Sequence, residues 1–101
     1  MIAPLLLDRE AIARVCERHG VSRLRVFGSA LTERFDPVHS DVDFLVDYTP
    51  EAERTFSALF ALRGELEQII GRPVDLIDAR TVRNPYFAKA IFESAQDVYA
   101  A

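Results

Sequence analysis

The chain has 101 residues, 50% of them hydrophobic and 28% charged, a balance that supplies one hydrophobic core and reads as a single domain over residues 1–101. Its net charge of −4 argues against attachment to nucleic acid through a general basic surface, so no stable nucleic-acid binding is expected. One cysteine, Cys16, excludes an internal disulfide and accords with a reducing cytoplasm. No apolar run reaches the roughly 18 residues of a membrane span. Ile2 to Leu7 is apolar but short, lacks a basic flank and runs at once into Asp8 and Arg9, so it does not read as a signal segment.

The first periodic segment runs from Asp8 to Gly20 and reads as a helix. Asp8 suits the N-cap and Gly20 the position just past the end. Ile12, Val15 and Cys16 recur at helical spacing and face the core. His19 lies where the helix dipole favours a cation. Cys16 reads as a small apolar core residue, because nothing near it lowers its pKa. Val21 to Phe27 follows as a strand, with Leu24 and Val26 alternating against Arg23 and Arg25. Gly28-Ser29 breaks it. Ala30 to Phe35 suits a short helix, and Asp36-Pro37 forces a turn. Asp41 to Tyr48 is the next strand.

Thr49-Pro50-Glu51 carries helix-start chemistry, a Thr cap, a Pro at the first position and an early acid, so a long helix is expected from there. Phe56, Leu59, Phe60, Leu62, Leu66, Ile69 and Ile70 supply its apolar face, and Gly71 with Pro73 ends it. Val74 to Asp78 is a third strand. A last helix from about Pro85 to Ser94 turns Phe87, Ile91 and Phe92 inward. The order α-β-(short α)-β-α-β-α describes an α/β or α+β fold, a small mixed sheet flanked by helices.

The stretch VFGSALTERFDPVHSDVDFLV, Val26 to Val46, carries the chemistry. Asp41 and Asp43 are two apart on a strand, so both point to one face, with Cα atoms roughly 6.5–7 Å apart. Such a pair can converge on one hard cation or bridge two, and oxygen-only ligands suit Mg²⁺ bound together with substrate phosphates. Gly28 lets a ligand approach the backbone without a Cβ in the way. Ser29 offers both its N–H and its hydroxyl, and a helix N-terminus behind it adds donors for phosphate. A Gly-Ser pair alone marks many tight turns; joined to Asp41-Val42-Asp43 it describes a Mg²⁺-nucleotide site. A third carboxylate is needed for a two-metal in-line displacement. Asp75 and Asp78 are the candidates, and only one can share the face of the first pair. Asp75 is favoured because it lies inside an apolar run, where an unpaired charge is costly, whereas Asp78 suits a capping role. Asp47 shares the face of Asp41 and Asp43 but lies further along the strand.

Gly28-Ser29, Asp41-Val42-Asp43 and Asp75 together resemble the signature of the DNA polymerase β-like nucleotidyltransferase superfamily. The short length, the run SDVDFLV followed by a long helix and PVDLID, and the final Pro85 to Ala95 segment resemble the minimal nucleotidyltransferase (MNT) proteins of bacteria and archaea. The resemblance covers about residues 21–95. It implies an antitoxin that transfers AMP from ATP to a tyrosine of a HEPN-domain ribonuclease toxin and silences it. By that resemblance Gly28 and Ser29 hold the triphosphate, Asp41 and Asp43 bind two Mg²⁺ ions, and Asp75 binds one of them and helps activate the attacking hydroxyl. A hetero-oligomer with the toxin follows from the same comparison. The eleven residues between Ser29 and Asp41 make a long spacer for the family, accommodated by a surface loop over Thr32 to His39.

Three other readings stay open on residues alone. The protein can be an antitoxin that inhibits by docking with little turnover. It can modify a small molecule, although 101 residues leave little for a separate substrate domain. Its aspartates can simply cap turns and solvate a strand end. His39 and Arg34 read as solvated loop charges, and Tyr48, Tyr86 and Tyr99 as packing or interface aromatics.

Overall fold

Local signals at the chain start fold as expected. In the computed structural model, which describes residues 7–28, 41–52 and 55–101, α1 spans Arg9–His19. The Asp8 side chain accepts from the Ala11 N–H at 3.1 Å, and Gly20 ends the helix at φ 69°. Ile12, Val15 and Cys16 are its buried residues. Burial pushes the Cys16 thiol up to about 12, helped by the Glu17 charge. The last-turn residues Arg18 and His19 both pair with Glu65 on the neighbouring helix.

Four strands form one mixed sheet: β1 Val21–Phe27, β2 Val42–Tyr48, β3 Val74–Asp78 and β4 Gln96–Ala100, in the spatial order β3-β2-β1-β4. β1 pairs antiparallel with both β2 and β4. β2 pairs parallel with β3, and the crossover between them is α2, Phe56–Ile70. A 3₁₀ turn, Ala79–Thr81, and α3, Pro85–Ser94, connect β3 to β4. One sheet face carries Leu24, Val26, Phe44, Val46 and Val74 against α1 and α2, and this is the main core. A smaller cluster, Phe27, Leu45 and Ile91, lies on the opposite face under α3. The α+β fold with a small mixed sheet is as the hydrophobic pattern implies; Ala30–Phe35 and the Asp36-Pro37 turn lie outside the described residues.

Four expectations need correction. α2 starts not at Thr49 but at Phe56, capped by Thr55, whose hydroxyl accepts from the Ala58 N–H at 3.1 Å. The Thr49 N–H instead donates to the Gly20 carbonyl at 2.8 Å, and Ala52 N–H to the Thr49 carbonyl at 3.1 Å. This turn packs on Gly20, where an added Cβ would stand 2.8 Å from the Ala52 Cβ. The cap chemistry of Thr49 and Pro50 is therefore used in a turn. Phe56 and Phe60 are consequently not core residues: they are 80% and 61% exposed, while Leu62 and Leu66 are buried. At about 100° per residue, Phe60 and Leu62 point to different sides of the helix.

Of the three α3 residues expected inward, only Ile91 is buried, and Phe87 and Phe92 remain substantially exposed. Arg25 does not alternate outward. It is 9% exposed because β1 is an interior strand covered on both faces. Its guanidinium donates to Asp47 at 2.9 Å and lies over the Phe92 ring at 5.2 Å. Finally, β4 extends the sheet where the pattern predicts no further element. Its five residues QDVYA hold one buried side chain, Val98, too little for a periodic signal, and its pairing with β1 supplies what pattern does not.

Candidate active site

The carboxylates come together where β1 ends and β2 and β3 begin. The antiparallel register sets Phe27 opposite Asp43, and the parallel register sets Asp43 opposite Asp75. Neighbouring strands are about 4.8 Å apart, so two carboxylates at paired positions meet. The junction is fixed by the backbone: Val42 N–H donates to the Pro73 carbonyl at 3.0 Å, and Val42 pairs with Val74 one step before the acids. Alternation places Asp43 on the same side as Leu45, and Asp75 on the same side as Ile77. Leu45 and Ile77 pack around Ile91, so the acids lie on the α3 face of the sheet.

Asp43 is disfavoured as a charged group in this setting. Its carboxyl is pushed up to about 6, first by burial, then by the charges of Asp75 and Asp41 and by a hydrogen bond with Asp75. Asp43 is partly buried, whereas Asp41 and Asp75 are exposed. Burial therefore does not distinguish Asp75 from Asp78, contrary to expectation: Asp75 is exposed. It stands beside Asp43 because of strand register. Asp78 has the capping role, its side chain accepting from the Arg80 N–H at 2.9 Å. Asp47 is on the same face but is paired with Arg25.

Gly28 lies against the acids. Its φ of 78° is in the left-handed region, and a Cβ there would stand 2.7 Å from an Asp43 carboxylate oxygen. Any side chain at position 28 would be strained and would displace Asp43. Ser29 lies outside the described residues. Arg25 is the residue that pattern reading misses on this face, and a cation set between Leu24 and Val26 is the available signal.

Among the described residues no group of three or more His, Cys, Asp or Glu already stands in ligand geometry: Asp43 and Asp75 are in contact, and Asp41 acts on Asp43 through its charge. The donor set is nevertheless all oxygen, and the Asp75 and Asp41 charges add to burial in raising the Asp43 pKa. Both features fit a hard divalent cation, which prefers one or two carboxylates completed by phosphate oxygens and water.

A small mixed sheet with a glycine-ended strand set against paired aspartates defines a nucleotidyltransferase-type domain. A family model described as a nucleotidyltransferase domain matches residues 8–98. A relative from Methanocaldococcus jannaschii is 35% identical over 78 residues, spanning 76% of either chain. Another from the same organism is 31% identical over 91 residues, spanning 89% of this chain and 92% of its own. The names of both provisionally assign protein adenylyltransferase activity. Among solved structures, a protein provisionally described as a minimal nucleotidyltransferase superposes with a TM-score of 0.70 at 33% identity, covering 87% of this chain and 86% of that one. An MNT antitoxin in complex with the tri-AMPylated HEPN toxin of Shewanella oneidensis superposes with a TM-score of 0.63 at 17% identity, covering 92% and 70%, and so shares the fold. The chain belongs to the minimal nucleotidyltransferase family and is a nucleotidyltransferase. Among the described residues no helix is long and apolar enough to cross a membrane.

Proposed function

We propose that this protein, acting as one minimal domain in the cytoplasm, is an antitoxin that transfers AMP from ATP to a tyrosine of a HEPN-domain toxin. The carrying observation is the registered Asp43–Asp75 pair, with Asp41 acting on it electrostatically and Gly28 closing its side. Support for the acceptor comes from the relatives named for protein adenylylation and from the related fold solved with an AMPylated HEPN toxin. A second toxin–antitoxin structure of this fold contains AMP-PNP.

Phosphoryl transfer asks the protein chiefly for positioning and charge neutralisation. Gly28 leaves its backbone without a side chain beside Asp43, and Ser29 has the N–H and hydroxyl that a triphosphate would use. Asp41, Asp43 and Asp75 would hold two Mg²⁺ ions, which when bound neutralise charge on the phosphates and the attacking oxygen. Exposed Asp75 accepts the proton of the tyrosine Oη. That oxygen forms a bond to the α-phosphorus, the bond from the α-phosphorus to the bridging oxygen breaks, and pyrophosphate leaves.

The test is label transfer with ATP labelled at the α-phosphate, in the presence of Mg²⁺ and a co-encoded HEPN protein. Label is expected on the partner, absent with γ-labelled ATP and absent with Asp41→Asn/Asp43→Asn. No label, with the partner inhibited equally by both forms, would refute catalysis and identify an antitoxin that works by docking.

A further inference from the structure

The sheet carries two hydrophobic clusters, and α3 contributes only to the smaller one. Local signals make the segment helical. Asn84 caps it, accepting from the Tyr86 and Phe87 N–H groups at 3.0 and 3.2 Å, with Pro85 in the first turn. Its hold on the sheet is slighter. Eight of its ten residues are exposed, Ala88 is half-buried, and Ile91 is its buried side chain. Phe87 and Phe92, the side chains best able to add apolar burial, are 54% and 39% exposed. Beyond Ile91, the Phe92 ring lies over the Arg25 guanidinium at 5.2 Å. A helix this short has little stability of its own in water, so these contacts decide whether it stays down.

The strands on either side are anchored elsewhere. β3 meets the main core through Val74 and Leu76, and β4 through Val98 and Tyr99. The segment between Asp78 and Gln96 can therefore leave the sheet without taking either strand with it. Beneath it lie Phe27 and Leu45, both buried and packed with Ile91, while Ala79, Val82 and Ala95 add partial burial at the two ends. Arg25 keeps Asp47 as its partner when the helix lifts, so no buried charge is stranded. The strip this uncovers adjoins the carboxylates: Phe27 is the β1 partner of Asp43, and Leu45 is two residues from Asp43 on β2.

We propose that residues 79–95, α3 with the turn before it, form a cover that opens as a local unit while the main core stays folded, baring the Phe27 and Leu45 strip beside Asp43. Local opening draws on elements with few buried apolar side chains. α3 fits that description, whereas α1 buries Ile12, Val15 and Cys16 and α2 buries Leu62 and Leu66. Asp41 and Asp75 are exposed with the cover down and Asp43 is only partly so, so Asp43 is the acid whose access the opening changes. The opening is a property of the fold and stands apart from the adenylyl-transfer reading.

Two thiols on opposite faces of the sheet provide the test. Cys16 is fully buried in the main core, and Leu45→Cys puts a second thiol under α3 at a position that is equally buried. With rates expressed relative to those of the unfolded chain, the thiol at position 45 should react at least about 100-fold faster than Cys16, as local opening outpaces global unfolding. Leu62→Ala in the same chain weakens the main core, which stays folded in the opened form. It should raise the Cys16 rate about tenfold or more and leave the rate at position 45 unchanged. Hydrogen exchange of the unaltered protein is the second readout: α3 amides should exchange at a rate that low urea does not change, while β1 and β2 amides accelerate with urea. Equal protection of the two thiols, or an equal effect of Leu62→Ala on both, would overturn the proposal. So would α3 amides that follow urea as those of β1 and β2 do, an outcome that decides the matter even where Leu45→Cys fails to fold.

Discussion

Replacing Asp43 by asparagine should stabilise the metal-free protein while abolishing transfer. The Asp43 carboxyl is raised from 3.8 to about 6, with burial as the first cause and the Asp75 and Asp41 charges next. A folded-state pKa above the unfolded value means that the stabilising form is the protonated one. Its contribution is full below about 3.8 and is lost as pH rises through about 6, above which the ionised carboxylate opposes folding. At 1.36 kcal/mol per unit the shift corresponds to about 3 kcal/mol at most. Discounted for solvent screening of a partly exposed group, about 1 kcal/mol remains. For a domain of this size that raises Tm by about 4–8 °C. The assay is thermal unfolding of the wild type and Asp43→Asn in EDTA at about pH 4 and about pH 7.5, either side of the raised pKa, with label transfer measured on the same preparations. The two forms should melt together at the acid pH and separate at the higher one, the variant being the more stable. A variant that is equally or less stable above the raised pKa, or a gap that does not change with pH, would refute the account of Asp43 as a charge held against its preference.

The other predictions address the frame around that charge. Gly28→Ala forces a Cβ to 2.7 Å from the Asp43 carboxylate at a φ of 78°, which should cost about 1–3 kcal/mol and abolish transfer, checked by urea denaturation and label transfer. Asp47→Ala removes the ion-pair partner of buried Arg25 and should destabilise by about 1–3 kcal/mol, with Arg25→Met in the same chain recovering most of the loss in a double-mutant cycle. Cys16, fully buried with its thiol pushed up to about 12, should resist a thiol reagent at about pH 8 until the protein is unfolded in denaturant. The Glu65 carboxyl is held below its ordinary value, first by its hydrogen bond with His19 and also by Arg18, so its contribution is present above about pH 4.5 and fades as pH falls. Glu65→Gln should therefore reduce Tm at about pH 7, by an amount that shrinks as pH is lowered below about 4.5.

The fold is legible where one segment contains its own instructions. α1 carries both caps and its buried stripe within the segment Asp8 to Gly20, and β2 states its burial in the run Val42 to Val46. Reading fails where a partner far along the chain decides the outcome. Thr49 has good cap chemistry, but the Gly20 carbonyl takes its N–H and the Ala52 methyl fills the space over Gly20. Arg25 alternates like a surface residue, yet β2 and β4 flank it and Asp47 and Phe92 receive its charge. β4 has no periodicity of its own, and Arg23 pairing with Asp97 at 2.7 Å belongs to the contact with β1 rather than to the segment.

The carboxylate site divides in the same way. Asp41 and Asp43 are two apart on one strand, so their common face follows from the pleat. Nothing in the chain around Asp75 says that it will stand opposite Asp43; the apolar run points to a buried acid, and Asp75 is exposed. What brings it there is the parallel crossover through α2, which sets Val42 against Val74 and hence Asp43 against Asp75. The main core under α1 and α2 lies on one sheet face, and the acids lie on the other beside the small cluster of Phe27, Leu45 and Ile91. That arrangement separates the two demands on the sheet. The face that holds the fold together is apolar, while the charge conflict at Asp43 is confined to the strand ends on the thinly covered face.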